Sequence, residues 1–298
     1  MVVATESPTR SAPEAPAAAR GHPRLRLFRR RSAIPGFGLT LGITLTGLSV
    51  IVLIPLSAVA IKASGLGLRG ILQQAFTERA LHAYTLSFGA SFVAAAVNGV
   101  FGVLTAWALV RYRFPGKNVV GALVDLPFAL PTAVAGISLA TLYGPNGLIG
   151  SALAKVGIQA AYNPVGVTIA LTFIGLPFVV RTLEPVMRDL SADVEEAAAS
   201  LGASRWQILT RVVLPALAPS WLTGVTLAFA RAVGEYGSVI FIAGNRPFKS
   251  EIAPLLIVIQ LEQFNYQGAA SIALALLTVS FFMLFVINAV QAWSRRFA

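Results

Sequence analysis

Three charged residues lie inside long apolar stretches of the chain, where an ionised side chain is costly and usually serves function or pairing. Arg231 and Glu235 are four residues apart, so they can pair on one face of a helix. A rise of ~1.5 Å per residue from the predicted cytoplasmic helix ends puts Asp125 about 10 Å deep and Arg231 about 16 Å deep. These residues could therefore be neighbours, either as a scaffold of ion pairs or as the lining or gate of a polar path.

The apolar stretch around Asp125 also contains residues that break helices. Pro127, Pro131 and Gly136 occur within "LPFALPTAVAG". Proline frees backbone carbonyls and kinks a helix, and interrupted membrane helices often line substrate sites. Both a structural kink and a path-lining break are compatible with this pattern.

Residues for several other kinds of chemistry are missing from the sequence. The chain has no Cys, and its two His, His22 and His82, are far apart with no HExxH pattern, so we expect no metal site. No GxxxxGK[ST] phosphate loop occurs, since Arg111 stands where the leading glycine before Gly116 and Lys117 should be. No cluster of catalytic His, Asp or Ser is apparent. We expect a protein that is not an enzyme, has no catalytic residues and binds no cofactor itself.

One hydrophilic stretch, "EEAAASLGASRW" from Glu195 to Trp206, interrupts the apolar chain. Acidic residues at its start favour a helix N-terminus, and Asp193 with Glu196 has capping-box spacing. We expect Gly202 to end this helix and a second short helix, capped by Ser204 and Gln207, to continue until Pro215 stops it. Val194, Ala197, Ala198 and Leu201 would form one narrow apolar face. An acidic start disfavours anionic lipid, so a protein partner is expected more than the membrane surface.

The segments that position these residues are predicted to be membrane-spanning helices. The chain is 56% hydrophobic and 12% charged, whereas soluble domains carry about 25% charged residues. A span needs about 20 apolar residues, and six stretches approach that length. The predicted fold is therefore an all-α polytopic membrane domain over residues 34–298, with spans at Leu39–Ile61, Tyr84–Val110, Val119–Tyr143, Val165–Val180, Ser220–Ala243 and Gly268–Val290. The short fourth span is expected to borrow from "RTL" with Arg181 snorkelling.

The distribution of basic residues predicts the orientation. With the N-terminus inside, sixteen of the 23 Lys and Arg fall on cytoplasmic segments and six on outer connections. The excess of Lys and Arg marks the cytoplasmic side, so both termini are expected there. Residues 1–33 are predicted to be a disordered basic tail, and residues 184–219 an inner loop. Because the net charge of +11 is explained by topology, no nucleic-acid partner is expected, and the lipid membrane is the surrounding phase.

The inner loop resembles a known family. "EAAASLG", followed nine residues later by "VVLP", is similar to the EAA loop of permease subunits of ATP-binding-cassette (ABC) importers. The resemblance implies a type I importer permease fold and a coupling helix that docks on a cytoplasmic ATPase dimer, which binds the ATP. The residues matched or adjoining are Glu195, Glu196, Ala197, Ala198, Gly202 and Pro215. Val212 replaces the usual Ile.

Further stretches resemble the T component of sulfate and thiosulfate permeases: "RYRFPGK", "DLPFALPTAVAG", "LPFVVRTLEPV", "RAVGEYGSVIFIAGN" and "LEQFNYQGAASIA". This resemblance covers nearly everything after residue 35. It implies a cytoplasmic (inner) membrane location, a second related permease as heterodimer partner, and a periplasmic or extracellular sulfate-binding protein that carries most of the selectivity.

Two alternatives remain at this point. A molybdate-type ABC permease shares several of the quoted elements but usually lacks the "LEQFNYQGAASIA" type of segment. A secondary anion transporter driven by an ion gradient would use Asp125 and Glu235 as ion sites, but the sequence shows no internal repeat. Co-purification with an ATPase separates the second alternative from an importer permease.

Overall fold

A computed structural model describes residues 37–294, and the described part is helices joined by short connections, without a strand. The predicted disordered tail, residues 1–33, lies outside the described residues. The all-α polytopic prediction is confirmed. The helices, in chain order, are α1 Phe37–Leu48, α2 Ile54–Ser64, α3 Gly67–Ala75, α4 Glu78–Arg111, α5 Lys117–Ala129, α6 Thr132–Tyr143, α7 Leu148–Ala154, α8 Pro164–Asp189, α9 Ala192–Ser200, α10 Arg205–Ile208, α11 Leu214–Val233, α12 Val239–Ile242, α13 Ala253–Glu262 and α14 Tyr266–Ser294. Two π-helical turns, Ser49–Leu53 and Leu209–Val213, interrupt the α-helices.

The chain divides into two compact units at Ile51. In its described part the first unit consists of α1 and the first residues of the following π-helical turn. α1 has no buried residue, and Leu39 and Ile43 are 73% and 65% exposed. Such an apolar, uncovered helix suits contact with lipid or with another subunit.

The core of the second unit lies where α4, α8 and α11 pack together. Small residues on the facing sides allow the backbones to approach closely, as is usual inside membranes. A Cβ on Gly224 of α11 would lie 2.9 Å from the Cα of Val179 on α8, so only glycine fits there. The indole Nε1 of Trp221 donates to the carbonyl of Gly99 on α4 at 2.9 Å, which fixes α11 against α4.

A second set of contacts closes one end of this bundle. Arg79, in the first turn of α4, forms a bidentate ion pair with Glu251 before α13, with N···O distances of 2.7 and 2.6 Å. The backbone N–H of Ala253 donates to the buried hydroxyl of Ser87 at 2.8 Å. These bonds hold the start of α13, which is too short to be a span, against α4.

Within residues 37–294, five helical segments are long and apolar enough to cross a membrane, and a sixth span is obtained if the bent pair α5–α6 counts as one. Two predicted spans have wrong boundaries. The fourth, predicted as Val165–Val180, is α8, which extends to Asp189, and Arg181 in the extension is paired with Asp125 and Glu184. The fifth, predicted as Ser220–Ala243, belongs to a helical segment over Arg205–Val233 that stops ten residues earlier, and α12 is a separate short helix.

Candidate coupling loop and intramembrane charges

After α8 a short helix, α9, is joined by a glycine to a second helix that begins with α10, as the sequence predicts. Gly202 has φ +86°, a left-handed conformation that favours glycine, and it follows the end of α9. At α10 the predicted capping box is confirmed. The Ser204 backbone N–H donates to Gln207 Oε1 at 2.8 Å, and the Gln207 N–H donates to Ser204 Oγ at 3.3 Å.

Two details of that loop differ from the prediction. The N-cap of α9 is Ser191, whose hydroxyl accepts from the Asp193 N–H at 3.1 Å, so the proposed capping pair of Asp193 with Glu196 is wrong. Pro215 does not stop the second helix either. Helix continues to Val233 because a π-helical turn immediately precedes Leu214, and its altered hydrogen-bond register lets the chain pass the proline near the start of α11.

The first of these helices, α9, is uncovered in this chain. None of its residues is buried, and Val194 and Leu201 on the predicted apolar face are 49% and 89% exposed. Glu196 and Ala197 are also exposed. A short helix that projects apolar and small side chains from the protein has the surface of a docking element rather than of a core helix.

The two adjacent acids of α9 have different surroundings. The carboxylate of Glu195 forms an ion pair with the guanidinium of Arg111 at the C-terminal end of α4, and the two side chains are 27% and 23% exposed. Glu196 has no such partner among the described residues. The sequence placed both acids in the predicted coupling loop but gave no indication of this pairing.

The third predicted span is broken where its prolines lie. α5 ends at Ala129, α6 begins at Thr132, and their axes differ by 116°. Pro131 is the N-cap residue of α6, and Pro127 lies inside α5. The bend is stabilised on one side by close packing, since a Cβ on Gly136 would lie 2.8 Å from the Cα of Ser238. The break thus lies beside the segment that follows α11.

The predicted pair of Arg231 and Glu235 lies at this end of α11, with Arg231 in the last turn of the helix. Their side chains are 2.5 Å apart (Nη1 to Oε2), but Glu235 lies beyond the end of α11, so they are not on one helix face as predicted. Glu235 Oε1 also accepts from the N–H and the hydroxyl of Ser238, both at 3.0 Å. The Glu235 side chain is only 3% exposed, whereas that of Arg231 is 38% exposed.

The ion-pair partner of Asp125 is not Arg231, although the predicted depths would allow the two to be neighbours. Asp125 pairs instead with Arg181 of α8, through two hydrogen bonds, one of them 2.7 Å long from Nε. Arg181 also donates to Glu184 at 2.6 Å and to the Gly121 carbonyl at 2.9 Å. Arg181 is therefore a paired residue between α5 and α8 rather than a snorkelling one. The i, i+3 spacing of Arg181 and Glu184 is the only sequence signal that could have indicated it.

The described residues contain no cluster of metal-binding side chains. Among residues 37–294 no three His, Cys, Asp or Glu side chains are arranged to hold a metal ion. Each of the intramembrane carboxylates discussed above has a basic partner. The arrangement leaves α9 exposed and holds the charged side chains within the bundle as ion pairs.

Comparison with known proteins places this geometry in context. Residues 98–297 match the family described as "Binding-protein-dependent transport system inner membrane component". The chain is 50% identical over 256 residues to a sulfate transport system permease protein CysT of Synechocystis, covering 86% of this chain and 90% of that protein. It is 45% identical over 262 residues to the CysT protein of Escherichia coli, covering 88% and 95%.

The fold is also found in solved structures. A chain of a bacterial alginate ABC transporter, in complex with an alginate pentasaccharide-bound periplasmic protein, superposes with a TM-score of 0.68 at 17% identity and covers 85% of this chain and 92% of that one. A second alginate transporter structure gives a TM-score of 0.69 at 15% identity. At these identities the likeness concerns the fold.

Proposed function

The chain belongs to the family of inner membrane components of binding-protein-dependent transport systems, and we propose that it is the permease subunit of an ATP-driven importer for sulfate or thiosulfate. The observation that carries this proposal is 45–50% identity to sulfate transport permeases along nearly the whole of both chains. The helical permease fold agrees with it. Sulfate is the substrate in the names of those relatives, and thiosulfate is a close chemical analogue of it.

Energy for transport comes from a separate ATPase dimer that binds α9. Support for this comes from the exposed face of α9, from the EAA pattern that begins at Glu196, and from the lack of a phosphate-binding loop in the sequence. Ala197 and Ala198 allow close approach of the partner, and the glycine joint at Gly202 sets the direction of the helix. The closing of the ATPase dimer on ATP would move α9 and open the permease to the outside.

Two further partners complete the assembly. A second, related permease would form the translocation path together with this chain, and uncovered α1 offers it an apolar surface. A periplasmic or extracellular binding protein would deliver the anion on the side opposite α9. This arrangement requires both termini to be cytoplasmic, as the distribution of basic residues predicts.

The intramembrane groups belong to the path or its gate in this proposal. The Arg231 side chain is 38% exposed and is the more exposed member of its ion pair. A dianion could compete with Glu235 for the Arg231 guanidinium. The break between α5 and α6, with Pro127 and Pro131, lies beside that pair through the packing of Gly136 on Ser238. Asp125 joins α5 to α8 through its ion pair with Arg181.

The test is uptake of labelled sulfate in cells that lack their own sulfate permease and are supplied with this chain and its partner subunits. We compare wild type with Glu196→Arg, and with Asp189→Arg as a control that reverses another exposed acid on the same side. Sulfate uptake that is lost in Glu196→Arg and kept in Asp189→Arg supports the proposal, provided that both variants reach the membrane.

Two other outcomes contradict parts of it. Entry of molybdate without sulfate would keep the importer fold and replace the substrate. Sulfate uptake that is equal in Glu196→Arg, and that needs no ATPase subunit, would make the chain a secondary transporter.

A further inference from the structure

The coupling helix has little to hold it in a fixed orientation. α9 buries none of its residues, and it is joined to α8 and α10 by connections of two and four residues. A helix that transmits motion between subunits needs a fixed orientation, and its two short connections alone do not provide one. Its orientation therefore depends on side-chain contacts with the membrane-spanning helices.

The ion pair of Glu195 with Arg111 is such a contact. It joins α9 to the C-terminal turn of α4 across 84 residues of sequence. Since α4 is the longest helix of the bundle and packs against both α8 and α11, a force on Glu195 reaches the helices that form the core. Neither residue is more than about a quarter exposed, so solvent screens the pair less than it would a surface pair.

Arg111 contacts Trp107 as well as Glu195. Its guanidinium carbon lies 5.5 Å from the centre of the Trp107 ring, one turn earlier on α4. Trp107 packs against the buried cluster that contains Leu109 and Val213. The Nε of Arg111 is buried and makes no hydrogen bond among the described residues. Loss of the Glu195 carboxylate would leave this part-buried cation without its counter-charge, so the contact is not easily exchanged for another.

We propose that the two adjacent acids of α9 have separate tasks: Glu196 faces the ATPase, and Glu195 ties α9 to α4 through Arg111, so that movement of the docked helix is transmitted to the bundle. This inference rests on the proposed importer function. Successive residues on a helix point about 100° apart, which lets neighbouring acids face a partner protein and the bundle at the same time. Glu195 and Arg111 are thus positioning residues, and neither needs to touch ATP or the anion.

The test uses the complete transporter with its ATPase, second permease and binding protein. The variants are Glu195→Arg, Arg111→Glu and the double swap Arg111→Glu/Glu195→Arg, with Asp193→Arg as the matched control on the same helix. Co-purified ATPase, ATP hydrolysis and sulfate uptake are measured for each. We expect both single variants to keep the ATPase but to transport about tenfold less sulfate per ATP hydrolysed, a change worth ~1.4 kcal/mol. The double swap should recover most of this loss.

A direct measurement of orientation complements the activities. The chain contains no Cys, so spin labels at Tyr112→Cys and Ser200→Cys report the distance between the end of α4 and the end of α9 without background from this chain. Both positions are exposed. We expect a narrower distance distribution for the chain with Arg111 and Glu195 than for the same chain with Glu195→Gln.

Three results would overturn the inference. The first is a double swap no better than either single variant, and the second is an unchanged distance distribution in Glu195→Gln. The third is loss of co-purified ATPase in Glu195→Arg, which would give Glu195 the docking task of Glu196. A wild-type complex that neither holds an ATPase nor imports sulfate would instead refute the proposed function itself.

Discussion

The pair of Arg231 and Glu235 provides the sharpest test of the intramembrane charges. Glu235 is 3% exposed and accepts three hydrogen bonds, one from Arg231 at 2.5 Å and two from Ser238 at 3.0 Å. Replacing Arg231 by Gln leaves the carboxylate buried with only the Ser238 donors. Replacing Glu235 by Gln leaves Arg231, whose 38% exposed side chain still reaches polar surroundings. The two single substitutions are therefore expected to differ.

The magnitudes follow from burial. Removal of one partner of a fully buried pair costs about 3–5 kcal/mol. Because Arg231 is more than one third exposed, screening lowers this figure, and we expect about 2 kcal/mol for Arg231→Gln. For Glu235→Gln we expect about 1 kcal/mol, since the remaining cation is the exposed member. The double variant should cost no more than Glu235→Gln, which gives a coupling energy of about 2 kcal/mol.

The assay is thermal unfolding of the purified transporter in lipid nanodiscs for wild type, both single variants and the double variant, with sulfate uptake measured in parallel. We expect Arg231→Gln to have the lowest melting temperature of the four. Equal losses that simply add in the double variant would refute the argument that Glu235 is the buried, dependent member. Uptake at the wild-type rate in the double variant would remove the pair from the path or gate.

Three further predictions concern two glycines and the ion pair of Arg79 with Glu251. Gly136→Ala should lower the melting temperature and sulfate uptake, because its Cβ would lie 2.8 Å from a facing backbone Cα, an overlap worth about 1–3 kcal/mol. Gly89→Ala, which meets nothing within 4 Å on α4, is its control, and equal melting of the two variants would contradict the packing argument. Gly202→Ala should lower the free energy of unfolding by about 1 kcal/mol, because alanine is strained at a φ of +86°. In the complete complex the same change should lower the sulfate transported per ATP hydrolysed. An unchanged ratio would show that the joint tolerates another conformation. Arg79→Gln should lower the melting temperature, because it leaves the Glu251 side chain, which is 2% exposed, without its ion-pair partner. If that is the reason, the additional change Glu251→Gln should restore the melting temperature.

Local signals account for what could be predicted. Apolar stretches of about 20 residues indicate spans whatever surrounds them, because the hydrocarbon core requires that length. The conformation of Gly202 and the capping box of Ser204 with Gln207 are decided within four residues of sequence. The break near Pro131 follows from the chemistry of proline.

The sequence by itself therefore determined the membrane helices, the exposed loop with its joint, and, through the EAA pattern, the kind of surface that α9 presents. Tertiary structure alone decided which charges meet. Asp125 pairs with Arg181 over 56 residues of sequence, and Glu195 pairs with Arg111 over 84. Depth along a helix axis gives no rotation about that axis, so it could not exclude Arg231 as the partner of Asp125. Ion pairs between helices depend on how the helices rotate and pack, and that is set by close contacts such as Gly224 against Val179.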